Sequence, residues 1–199
     1  MKKLPAATQA ILSRHARDPN IRKMQKYIQH GEVTTYSHCI HVATLGCKIA
    51  GLLRIDDEAC INDIIIGGLL HDYFLYDWHE GRLRKEGIHC FSHPKTALIN
   101  ATADFDLTNK QKNIIRSHMF PATLLHPPKS IEAAIICISD KICAITEYAG
   151  WYYPYEESSV SYDIRKKIKY DKKNHQSRNE KEWASRRPVG MMVKTKKIN

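Results

Sequence analysis

Six side chains able to bind a divalent cation, His38, His71, Asp72, His93, His118 and Asp140, fall at the ends or on the apolar faces of segments that read as helices. Only two of them are neighbours: "GGLLHDYFLYDWHE" (residues 67–80) sets His71 and Asp72 side by side at the foot of an apolar run. Such a pair has two uses. Either it caps and hydrogen-bonds a helix end, or it holds a metal ion. A single histidine on an apolar helix face is more often a satisfied core residue than a ligand. Six candidates from five segments weaken that account, because an imidazole or carboxylate buried without a partner costs kilocalories. A shared divalent ion would satisfy them together. Adjacent residues point about 100° apart on a helix, so His71 and Asp72 reach one centre only where the helix ends. Gly67 and Gly68, just before them, allow another helix to approach closely. Imidazole with carboxylate and no thiolate suits Fe, Mn, Co, Ni or Zn rather than a structural zinc knuckle.

The elements that must position these groups are helices. "DPNIRKMQKYIQHG" predicts a helix opened by Asp18 and Pro19 and closed at Gly31. "YSHCIHVATLGCKIAGLL", capped by Thr34 or Thr35, carries apolar residues in helical rather than alternating order. "DDEACINDIIIGGLLHD" starts at Asp56-Asp57, and residues 73–92 read as one long loop. "HPKTALINATADF" predicts a short helix with Pro94 in its first turn, and "TNKQKNIIRSHMFP" one capped by Thr108 and stopped by Pro121. "SIEAAIICISDKICAITEYAG" runs from a Ser130 cap to Gly150. No internal repeat and no convincing strand emerge, so the fold class is all-α.

Hydrophobic residues make up 43% of 199, enough for one domain with a core and an appendage. The opening "MKKLPAATQA" is not followed by the apolar region of a secretory signal. The longest apolar stretch, residues 64–70, is far short of the roughly 20 residues of a membrane span. Six cysteines without a C-x-x-C pair point to reduced thiols, and the expected location is cytoplasmic with no membrane contact. The net charge of +10 is uneven: residues 151–199 hold 13 Lys/Arg against 6 Asp/Glu. Residues 1–150 thus read as the domain that carries the candidate ligands. Residues 151–199 read as a basic, aromatic-rich C-terminal extension, partly helical through Ile164, Ile168 and Tyr170, with a frayed end. A charge run of this kind is either a solvated face or, over residues 160–187, a contact for RNA.

The order His38 … His71-Asp72 … Asp140 resembles the H…HD…D signature of the HD-domain metal-dependent phosphohydrolases. "HCIHVATLGCKIA" is similar to that family's first ligand helix, "GGLLHDY" to its HD helix end and "ISDKICAITE" to its final Asp helix. His93 and His118 match the additional histidines of branches with two metals, the HD-type diadenosine tetraphosphate hydrolases and, more distantly, the HD-GYP phosphodiesterases. The Gly-Tyr-Pro motif is absent, and Met119 stands where that branch carries a second histidine, so the small nucleotide-hydrolase branch is nearer.

The resemblance implies an HD-domain helical bundle over 1–150 and two divalent ions. It makes Asp72 the bridge, with His38, His71 and Asp140 completing one site and His93 and His118 the other. It also implies a hydroxide held between the metals that attacks a phosphoester or phosphoanhydride of a nucleotide or similar small compound. Lys141 stands ready for a phosphate or is an ordinary surface lysine. Tyr73, Trp78, Arg82 and Arg84 combine aromatic faces and cations suited to a base and its phosphates, or pack their loop onto the core. His41, three residues after His38, is placed to support a ligand. The competing reading is a non-catalytic module that retains metal or nucleotide while the basic extension contacts RNA or a protein.

Overall fold

The computed structural model of the chain describes residues 3–79 and 88–150. The expectations for Arg82, Arg84 and the 151–199 extension lie outside the described residues. Among the described residues seven α-helices follow in order: α1 (Ala6–Ala16), α2 (Pro19–Arg22), α3 (Thr35–Leu52), α4 (Glu58–Leu70), α5 (His89–Asp104), α6 (Asn109–Ser117) and α7 (Ile131–Tyr148). A 3₁₀ turn, Lys23–Lys26, and a two-stranded antiparallel hairpin, β1 (Ile28–His30) and β2 (Val33–Thr34), separate α2 from α3. The described residues form the expected all-α bundle, apart from this hairpin.

Helix starts follow local chemistry. The side chains of Asp18, Thr34, Asp57 and Ser130 each accept a backbone N–H in the first turn of α2, α3, α4 and α7. Thr108 and Gln111 form a reciprocal capping box on α6. Three expectations change. The helix predicted to reach Gly31 ends by Lys26, because Tyr27, Ile28, Val33 and Thr34 are aromatic or β-branched and Gly31 adopts φ +52°. Those preferences favour a hairpin. Helix α5 begins at His89, so the loop expected to run to residue 92 ends earlier. Pro94 lies inside α5 rather than in its first turn, which leaves the Cys90 carbonyl without its usual helical donor. Helix α1 has no counterpart among the predicted elements; only Leu12 and Ala16 of it are buried.

The end of α4 that leads into His71 and Asp72 sits between α3 and α6. A Cβ on Gly68 would lie 2.8 Å from Ala43 Cα of α3, and one on Gly67 would lie 2.6 Å from Ile114 Cγ2 of α6. The glycine pair therefore lets both neighbours close on the helix that carries His71 and Asp72. Ile64, Ile65, Leu69, Ile114, Ile115 and Ile136 are fully buried around this crossing. Packed at crystal-like density, they leave the helix ends little freedom to drift. All six cysteines are free thiols. Among the described residues, no helix is long and apolar enough to cross a membrane.

Candidate metal centre

His71 is the C-cap of α4, with φ −58° and ψ −32°, and its Nδ1 lies 2.8 Å from the Gly68 carbonyl. That contact turns Nε2 inward, and the helix end brings Asp72 round to the same side. Helix α3 contributes His38, α5 His93 and α7 Asp140, while the C-cap of α6 contributes His118. His38, His71 and His118 are fully buried, and Asp72, His93 and Asp140 nearly so.

Two clusters share Asp72. On one side, His71 Nε2 and His38 Nε2 lie 3.3 and 3.8 Å from Asp72 Oδ2, and 3.6 and 3.1 Å from Asp140 Oδ1. On the other, His93 Nε2 and His118 Nε2 lie 3.3 and 3.5 Å from Asp72 Oδ1. The structure thus brings all six candidate ligands together, with a different oxygen of Asp72 facing each group.

The outer nitrogens decide what the inner ones can do. Nδ1 of His93 lies 2.8 Å from the His89 carbonyl, and Nδ1 of His118 lies 2.8 Å from the Ile115 carbonyl. A carbonyl only accepts, so both Nδ1 atoms carry a proton, and Nε2 is the atom each ring turns to the centre. Those two Nε2 atoms are 2.9 Å apart. Facing lone pairs at that distance repel unless a proton or a metal ion satisfies them. His71 Nε2 and Asp72 Oδ1 are likewise buried without a hydrogen-bond partner. The donor set therefore fits a bound divalent cation: buried, convergent and short of partners.

Electrostatics agree. Burial opposes ionisation of Asp72, yet the imidazoles of His71, His93 and His118 hold its carboxyl far below the usual range. Burial also opposes ionisation of Asp140, where the hydrogen bonds of His38 and His71 prevail. Burial, then the neighbouring His71, depresses His118 to about 3, keeping it neutral as a ligand must be. Burial would lower His38 too, but the hydrogen bonds to Asp140 and Glu147 and their charges raise it to about 10. In the metal-free protein a proton on His38 takes the place of positive charge.

Two supporting residues are absent from the candidate set. Glu147, in the last turn of α7, accepts from His38 Nδ1 at 2.8 Å and from His41 Nδ1 at 2.7 Å. Gln29, on β1, donates from Nε2 to Asp72 Oδ2 at 2.7 Å, while the Thr35 hydroxyl donates to its Oε1 at 3.1 Å. Glu147 lies seven residues after Asp140, two helical turns along the same face, and that spacing is a usable signal. Gln29 carries none, because its segment reads as helix.

The expected substrate contacts fare differently. Tyr73 does not face the centre: it is fully buried and its hydroxyl donates to Asp104 at 2.6 Å. The preference of its ring for the core, where it meets Phe105 edge-on, takes it out of the proposed substrate contacts. Lys141 directs Nζ to the carbonyls of His118 and Cys137, at 2.9 and 3.1 Å, and so braces the end of α6 rather than standing free for phosphate. Trp78 stacks on His89 at 5.1 Å, and His89 stacks on His93 at 4.6 Å, placing the indole two rings away from a ligand.

A family model described as the HD domain matches residues 35–145, more than half of the 199-residue chain, from the start of α3 into α7. Neither the curated proteins nor the solved structures contain a match to the chain.

Proposed function

The chain belongs to the HD-domain family, a superfamily of metal-dependent phosphohydrolases, and from that premise we propose that it hydrolyses the phosphoester or phosphoanhydride bond of a nucleotide or similar small phosphate compound. The observation that carries this reading is the 2.9 Å approach of two histidine Nε2 atoms whose Nδ1 protons are already committed to carbonyls. Two buried clusters sharing one carboxylate support a pair of ions. His38, His71, Asp72 and Asp140 would hold one, and Asp72, His93 and His118 the other. When bound, such ions act as Lewis acids toward phosphoryl oxygens and make water a nucleophile near neutral pH. The imidazole and carboxylate donors suit Fe, Mn, Co, Ni or Zn.

The protein's own groups supply the rest. Asp72 stays ionised and cannot act as a general acid near neutrality. Asp140 and His93 are the least enclosed of the ligands, with side-chain exposures of 11% and 7%, so a substrate phosphate would approach from their side. The loop after Asp72 provides Trp78 and, outside the described residues, Arg82 and Arg84 as proposed contacts to base and phosphates. The basic residues of 160–187 are a separate proposed contact for RNA.

The test is elemental analysis of purified protein followed by a phosphate-release screen over nucleotides with each candidate metal restored. Metal-dependent release supports hydrolysis. Metal binding with no turnover on any phosphate compound would favour the non-catalytic binding module.

A further inference from the structure

The four candidate histidine ligands do not have equivalent supports. His71, His93 and His118 each set Nδ1 against a backbone carbonyl at 2.8 Å, whereas His38 sets its Nδ1 against the Glu147 carboxylate at the same distance. Glu147 is itself fixed. Its second oxygen accepts from His41 Nδ1 at 2.7 Å, and the carboxylate is buried against α3. His38 and His41 are three residues apart on α3, so both rings present to one face and one carboxylate spans them. A carbonyl partner fixes only the tautomer and orientation of an imidazole, but a carboxylate also adds charge and strengthens the opposite nitrogen as a ligand.

The charge lies on one side of the centre. The His38 cluster already faces Asp72 and Asp140, and Glu147 adds a third carboxylate behind it. The His93–His118 cluster has a share of Asp72 and two imidazoles held by carbonyls. We propose that Glu147 is a positioning residue that, braced by His41, makes the His38 cluster the tighter of two unequal metal sites. This inference rests on the two-ion reading above and adds an order of filling: the His38 cluster loads first, and the His93–His118 cluster responds to metal supply at higher concentration.

The experiment titrates Mn(II) and, separately, Co(II) into metal-stripped full-length protein against a competing chelator. It compares wild type with Glu147→Gln, Glu147→Ala and His41→Gln. Wild type should show two affinities. Glu147→Ala should weaken the tighter one by about 10- to 100-fold, the range for loss of a ligand's outer partner, and leave the weaker one nearly unchanged. Glu147→Gln is close in shape and keeps one acceptor without the charge, so its loss should fall in between, and it decides the matter if the alanine variant does not fold. His41→Gln leaves the carboxylate in place and should cost only a few-fold at the tight site, on the scale of one half-buried hydrogen bond. A shift in the Co(II) visible spectrum of the first equivalent should accompany these losses. Unchanged tight affinity in folded Glu147→Gln and Glu147→Ala overturns the role of Glu147 and leaves the two-ion reading standing, as does a loss confined to the weaker site. Wild-type protein that binds no metal overturns the two-ion reading itself, and the order of filling with it.

Discussion

Asp72 Oδ1 lies 3.3 Å from His93 Nε2, while the other oxygen of the same carboxylate lies 3.3 Å from His71 Nε2. One side chain thus stands between two imidazole clusters that arrive on different helices. No second carboxylate among the described residues reaches both, since Asp140 contacts only His38 and His71 among the histidine ligands.

Replacing Asp72 by alanine should therefore remove both proposed sites together. Bound metal should fall below one ion per chain, and turnover should drop by well over a hundredfold, beyond the loss typical of an outer partner. Circular dichroism should still report a helical protein, because the buried apolar contacts of Ile64, Ile65, Leu69 and Ile136 are untouched. Elemental analysis and phosphate release decide this, and hydrolysis at the wild-type rate would refute the proposed chemistry.

Four shifted groups bear on the pH dependence of the metal-free protein. One of them, His71, is raised well above 6.5, with burial opposing and the charge of Asp72 prevailing, so its contribution is lost as pH rises. Glu147 is held down to about 2 from 4.5, with burial opposing and the hydrogen bonds of His38 and His41 prevailing. Its contribution is present above pH 4.5 and lost as pH falls towards 2. His118, lowered from 6.5 to about 3, binds its proton more readily when unfolded, so it costs stability as pH falls below 6.5. His38, raised from 6.5 to about 10, contributes fully below 6.5 and loses that contribution as pH rises to 10. Stability should peak near pH 6.5 and decline on both sides. Bound metal replaces the protons on His38 and His71, so saturation with Mn(II) should abolish the alkaline decline. Melting curves across pH, with and without metal, test both limbs; an alkaline limb that persists in the loaded protein would contradict the assignment of His38.

Gly68→Ala tests the helix crossing that supports the site. The added methyl would lie 2.8 Å from Ala43 Cα, a backbone atom that cannot swing away, so α3 and α4 must separate. Overpacking of this kind costs about 1–3 kcal/mol. It should also weaken metal binding, because His38 rides on α3 and His71 on α4. Gly51→Ala is the matched control: nothing lies within 4 Å of its Cβ, so a helical alanine there should gain up to about 1 kcal/mol. Urea unfolding of the two variants should move in opposite directions.

Much of this arrangement is legible in the amino-acid order alone. The caps at Thr34, Asp57, Thr108 and Ser130 are short-range hydrogen bonds, and local sequence specifies them. The six candidate ligands stand out because buried imidazoles and carboxylates need partners. What escapes is set by tertiary contact. Gln29 reaches Asp72 across 43 residues from a hairpin whose few residues have no period to detect. Tyr73 and Lys141 look like substrate contacts by type, yet Asp104 and the His118 carbonyl claim them. Glu147 lies within reach of a simple spacing argument, but a glutamate near a helix end ordinarily reads as surface.

The basic extension should be separable from the chemistry. All six candidate ligands precede residue 150, and residues 151–199 carry 13 Lys/Arg against 6 Asp/Glu. Truncation near Ser177 removes much of that positive charge without touching a ligand. Hydrolysis of a small nucleotide should then stay near the full-length rate. Binding to single-stranded RNA should weaken and lose salt sensitivity, since each phosphate contact removed flattens the slope of log K against log salt by about 0.7. Parallel titrations at several salt concentrations, with turnover assayed on the same samples, distinguish the outcomes. Lost turnover with unchanged RNA binding would reverse the assignment and make the extension part of the active site, with its aromatic start, "WYYPYEESS", the first segment to mutate.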